Sequence, residues 1–129
     1  MHRACPWDRY ARRDMARRIK PPEDPKLRAA WRALQELGSV GPACADDLLL
    51  LGIRSVDDLR GRDPNQLYAE LCERTGVRQD PCVEDVLRCA VAQADHPDLP
   101  AEYRRWYLWT PLRGRPRGAL PDEVSERSS

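Results

Sequence analysis

From Asp24 to Pro111 the chain repeats one local pattern: a capping residue, a proline, a stripe of apolar positions at helical spacing, then a glycine or proline stop. Asp24-Pro25 supplies a side-chain acceptor followed by a residue with fixed φ, and Leu27, Ala30, Trp31, Leu34 and Leu37 then form one apolar face. Gly38 ends that face, and Ser39-Val40-Gly41-Pro42 reads as a tight turn into a second helix with Ala45, Leu48 and Leu49 inward and Gly52 as its stop. Ser55-Val56-Asp57-Asp58 opens a short helix through Leu59. Asp63-Pro64 opens the next, with Leu67, Tyr68, Leu71 and Cys72 on one side and Gly76 at its end. The clearest stripe follows Asp80-Pro81: Val83, Val86, Leu87, Ala90, Val91 and Ala94, closed by His96-Pro97. Pro100 predicts a last helix carrying Tyr103, Trp106 and Tyr107 and ending near Thr110-Pro111. No period-two alternation competes, so the pattern predicts an all-α, compact bundle of five to six short helices.

Three regions emerge. Residues 1–24 lack an apolar stripe and carry paired arginines, which predicts an Arg-rich, mobile or loosely helical arm. Residues 25–112 form the helical domain. Residues 113–129, rich in Gly, Pro, Ser and charge, predict a disordered polar tail.

The segment from Leu34 to Leu59 matches a helix-hairpin-helix motif. Such a motif needs a helix, a glycine-bearing turn with an apolar centre, and a second helix with Ala and then Leu a turn apart. Leu34, Leu37, Val40, Gly41, Ala45 and Leu48 fill those positions. The turn presents backbone N–H groups and the positive end of the second helix, a combination that grips phosphate without reading sequence. Ser39, Val40, Gly41 and Pro42 are therefore the candidate DNA contacts. Two features weaken the site. Ser39 stands where such hairpins usually carry a first glycine, and serine tolerates positive φ less well. Asp46 and Asp47 sit one turn into the second helix and oppose an anion there.

Beyond the motif, the chain resembles a bacterial family of "pathogenicity locus" or mitomycin-resistance-type helix-hairpin-helix proteins. The likeness runs over about residues 34–112. It rests on Val40-Gly41-Pro42, Leu51-Gly52-Ile53, Gly61-Arg62-Asp63-Pro64, Leu67-Tyr68, Leu71-Cys72, Asp80-Pro81-Cys82-Val83 and Trp106-Tyr107-Leu108-Trp109. The resemblance implies a SAM-like helical domain and a link to DNA; it implies nothing about mechanism.

Charge sharpens this picture. The formal net charge is only +1, but residues 1–35 hold +6, residues 36–102 hold −8 and residues 103–129 hold +3. Basic ends thus flank an acidic middle. Arg12, Arg13, Arg17 and Arg18, with Arg104 and Arg105, are the flanking basic residues able to track a phosphate backbone, against the plainer reading of solvated charge. The acidic face and the Trp-rich end suggest the alternative, a protein–protein interaction module. The partner is accordingly duplex DNA without sequence specificity, or a protein.

Other chemistry is sparse. The five cysteines have no CxxC spacing and read as reduced thiols packed between helices. Cys82 differs, because a thiol in the first turn of a helix can be reactive. Trp106, Tyr107 and Trp109 read as a lid over the core in preference to a base-stacking surface. With two histidines, no phosphate-binding glycine loop and carboxylates expected at N-caps and exposed faces, no catalytic residue, metal site or cofactor is expected. The longest apolar run, Leu48 to Leu51, is far short of a membrane span, and the Arg-bearing N-terminus does not read as a secretory signal, which predicts a cytoplasmic protein without small-molecule substrate.

Overall fold

The computed structural model describes residues 20–116 and 118–121. Among them lie five α-helices: α1 Pro25–Leu34, α2 Pro42–Leu50, α3 Val56–Leu59, α4 Pro64–Thr75 and α5 Pro81–Asp95. Two 3-10 helices follow, η1 Ala101–Arg104 and η2 Trp106–Leu112, and no strand occurs among the described residues. The all-α bundle predicted by the pattern is the observed architecture. No helix among the described residues is long and apolar enough to cross a membrane. Residues 1–19, with the candidate contacts Arg12, Arg13, Arg17 and Arg18, lie outside the described residues.

Capping explains the helix starts. The carboxylates of Asp24, Asp63 and Asp80 each accept from a backbone N–H in the first turn of α1, α4 and α5, and the Ser55 hydroxyl accepts from the Asp58 amide at α3. A proline occupies the first helical position of α1, α2, α4 and α5, where its missing N–H costs nothing.

The centre of the bundle is α5. Every residue from Cys82 to Ala94 is buried, because α3, α4, η1 and η2 all pack on it. One apolar cluster joins Trp31, Leu34, Val40, Ala45, Leu48, Ile53, Leu59, Leu67 and Leu71 to Val83, Val86, Leu87, Ala90 and Ala94. A second, on the other side of α5, joins Cys89 and Ala92 to Leu99, Tyr103 and Trp109, with Trp106 touching both clusters. Each fully buried Leu or Val here stabilises the fold by about 2 kcal/mol. The cluster of aromatics near the C-terminus is thus a lid in the main. Trp109 is fully buried and its indole N–H donates to the Tyr103 carbonyl at 2.8 Å.

Three expectations need correction. The last helix is not α-helical. Arg105 is extended (φ −96, ψ 120) and splits the segment into two 3-10 pieces, with Pro111 inside the second. The polar tail does not begin at Arg113, because Arg113 to Pro116 lies against α5 and Leu120 packs on the second cluster. Nor are all carboxylates at caps and exposed faces: Asp85 is fully buried and Glu84 nearly so.

That last point explains the second. Asp85 accepts two hydrogen bonds from Arg113, at 3.0 and 2.5 Å, and one from the Thr110 hydroxyl at 3.0 Å. Glu84 accepts from the Gly114 amide at 3.1 Å. Arg88, buried on the same helix, donates to the Arg115 carbonyl at 2.9 Å and to Asn65 Oδ1 at 3.3 Å, while Asn65 Nδ2 donates to the same carbonyl at 2.9 Å. Three charged side chains of α5 therefore grip a segment with little helix of its own.

Candidate nucleic-acid interface

α1 ends at Leu34, but its apolar stripe continues. The amides of Gln35, Glu36 and Leu37 donate to carbonyls three residues back, tightening the chain until Leu37 still reaches the core. The Val40 amide then donates to the Leu37 carbonyl, and α2 begins at Pro42. Trp31 ties the two helices together, its indole N–H donating to the Pro42 carbonyl at 3.2 Å.

The turn is fixed from outside itself. Gln93, buried on α5, meets the Gly38 peptide on both edges: the Gly38 amide donates to Oε1 at 2.7 Å, and Nε2 donates to the Gly38 carbonyl at 2.9 Å. A Cβ on Gly38 would lie 2.5 Å from Arg104 Cβ and 2.7 Å from the Arg104 carbonyl, so only glycine lets the two backbones approach this closely.

Ser39 adopts φ +69, the one non-glycine residue with positive φ among those described. Its hydroxyl offsets that strain by donating to the Arg104 carbonyl at 2.8 Å and accepting from the Trp106 amide at 3.0 Å. The serine expected to fit this turn poorly is thus held there by its side chain. The same bonds commit the hydroxyl to the protein.

The structure therefore brings together Ser39, Val40, Gly41, Pro42, Arg104 and Arg105. Ser39, Gly41, Pro42 and both arginines are exposed; Val40 is buried, so only its backbone is available. Gly41 is the N-cap of α2, and among the described residues α2 is the one α-helix whose N-terminus no side chain caps. Its φ is −95 and a Cβ there would meet nothing within 4 Å. Neither conformation nor packing inside the protein requires glycine at this position.

Behind this surface, Asp47 is pushed up to about 7 by burial and by the neighbouring carboxylate of Asp46. One of the two carboxylates that oppose an anion at α2 is therefore partly neutral near physiological pH, while Asp46, nearer the helix start, is exposed.

Cys82 is 7% exposed, with its amide donating to the Asp80 carboxylate at 3.1 Å, so its thiol sits inside the first turn of α5 with little access to solvent. Burial pushes the Cys89 thiol up to about 12, which keeps it protonated and unreactive. Among the described residues no three His, Cys, Asp or Glu side chains group as a metal site would require.

The hairpin motif marks the turn in the sequence but not the residue that fixes it. Gln93 interrupts an otherwise apolar stretch, Ala90 to Ala94, and a lone polar residue so placed signals a buried hydrogen-bond duty. The run Glu84, Asp85, Arg88 in the helix with the strongest apolar stripe carries the same signal for the C-terminal segment.

Fold and site together define a small helical domain whose α1–α2 turn is locked onto a central helix and flanked by exposed arginines. Residues 27–115 match the pathogenicity locus family (Cdd1), and the chain belongs to that family. It is 40% identical over 82 residues, 64% of this chain and 74% of the relative, to mitomycin resistance protein McrB of Streptomyces lavendulae. No solved structure matches it.

Proposed function

We propose that this protein is a cytoplasmic, non-enzymatic DNA-binding protein. It would grip duplex phosphates without reading sequence, through a helix-hairpin-helix contact at Ser39–Pro42, reinforced by Arg104, Arg105 and the arginines of the N-terminal arm. The observation that carries this reading is Gly41. A glycine required by neither φ nor packing, at the uncapped N-terminus of a helix and facing open space, is explained by the close approach of something from solvent. Backbone amides and a helix end with Arg104 and Arg105 beside them suit a phosphate. The kinship with a mitomycin resistance protein suggests that the DNA contact serves drug resistance.

The test is fluorescence anisotropy of the full chain on a random-sequence duplex across a salt series. Binding should weaken with salt, and Arg104→Gln with Arg105→Gln should reduce the slope of log K against log salt by about 2. Gly41→Glu should abolish binding with an unchanged melting temperature. Val40 is unsuitable for this purpose because its side chain is in the core. Absence of binding at low salt rejects the reading.

One observation favours a protein-docking role instead. Leu27, Ala29, Ala30 and Ala33 of α1 line a shallow groove together with Asp24, Lys26 and Arg54. Co-purification of one protein, lost in Ala33→Arg, without any DNA affinity, would support that alternative.

A further inference from the structure

The aromatic residues near the C-terminus divide into two kinds. Tyr103 and Trp109 are buried in the second cluster and Trp106 is half-buried between clusters, but Tyr107 is 49% exposed. A lid has no need of Tyr107. Isolated exposed apolar residues are commonplace, and exposure alone assigns nothing. What distinguishes Tyr107 is that its ring is held in place and where it is held.

Two contacts hold it. The ring stands edge-to-face with Trp106, centroids 6.0 Å apart at 83°, and its hydroxyl accepts from Arg105 Nη1 at 3.2 Å. The residue before it, Trp106, donates its amide to Ser39 at the centre of the α1–α2 turn, and Arg104 accepts from the same hydroxyl. Tyr107 thus follows directly on the residue pinned to the turn, and Arg105, whose side chain bonds its hydroxyl, adds a cation beside the ring. An anchored, solvent-facing aromatic with a cation at its rim is the arrangement that stacks a nucleobase while the backbone phosphate is met alongside.

A base inside a duplex offers no free face except at an end. We propose that the site takes duplex DNA that adjoins an unpaired nucleotide, with the hairpin and Arg104 on duplex phosphates and Tyr107 stacked on the first unpaired base. This rests on the DNA-binding reading above and specifies its substrate class.

The test compares the full chain on a labelled blunt duplex and on the same duplex with a five-thymine single-stranded extension, at one low salt concentration. The extension should tighten binding about tenfold, the scale of one stacked base. An extension of the same length whose first residues are abasic should give no such gain, because it adds phosphates without bases. Tyr107→Ala should bring the extended duplex back to the affinity of the blunt one and leave blunt-duplex binding within twofold. Tyr107→Phe, which keeps the ring, should retain most of the preference. Equal affinity for the two DNAs, a gain that survives abasic substitution, or a Tyr107→Ala loss equal on both would overturn this inference and leave general duplex binding standing. Failure to bind either DNA would overturn the DNA reading, and this inference with it.

Discussion

The α1–α2 turn and the C-terminal segment from Ala101 to Pro116 lie on the same central helix, yet they are built by opposite means. The turn is bounded by two helices that local signals specify: Asp24 caps one, Pro42 opens the other, and Leu34 and Leu48 bury their faces. Only its seat is non-local, through Gln93 and Arg104. The C-terminal segment has two short 3-10 helices and then almost no local structure. It is held by Thr110, Arg113, Gly114 and Arg115 bonding to Asp85, Glu84 and Arg88. A segment with weak propensity is ordered where a neighbouring helix buries charges that need partners, because leaving those charges unpaired is costly. The polar C-terminal segment therefore satisfies the buried charges of the core.

The largest effect should come from breaking that arrangement. Arg113→Ala leaves Asp85, which has no exposed surface, without its bidentate partner, and should cost about 3 kcal/mol in denaturant unfolding. The value falls at the lower end for a broken buried pair because Arg113 is 39% exposed at its side chain and water can enter. The double substitution Asp85→Leu with Arg113→Leu should recover much of the loss; a loss no smaller than that of the single variant would contradict the account.

Next in size is Gly38→Ala. The added methyl collides with the Arg104 Cβ and carbonyl, and overpacking of this kind should cost about 2 kcal/mol. The damage should also reach the turn, since Arg104 and Trp106 hold Ser39; faster hydrogen exchange at residues 38–41 would report it. Gly41→Ala, three residues on, should leave stability unchanged, so comparing these two glycines separates architecture from access.

The smallest effect concerns Asp47. Its folded-state value near 7 lies above the ordinary 3.8, so the folded chain binds the proton more tightly than the unfolded one. Its contribution to stability is greatest at low pH and is lost as pH rises from about 4 through 7. Asp47→Asn should therefore raise stability at pH 8 by about 1 kcal/mol, limited because the amide must itself be desolvated. The gain should shrink steadily as pH is lowered toward 4. A gain independent of pH would show that burial of the charge is not the cause.

Much of the domain was legible in advance because its signals are local. Asp-Pro and Ser starts, glycine stops and apolar residues three and four apart place five helices without knowledge of what they pack against. The α1–α2 turn and the sequence-distant Arg104 and Arg105 are each candidates on sequence grounds, but nothing in the chain order says that they touch. The pairing of Ser39 with Arg104 and Trp106 spans more than 60 residues.

The sequence by itself determined where the five α-helices begin, which faces are apolar, and that one turn carries a glycine and a helix start. Tertiary structure alone decided that serine can occupy positive φ at Ser39, that Gln93 replaces solvent for the Gly38 peptide, and that Arg113 begins a strap and not a tail. It also decided which aromatic is left outside the core. The reason is range. Caps and periodic stripes act within four residues, while a buried polar group is satisfied by whatever backbone the fold carries to it, and that partner has no fixed spacing in the chain.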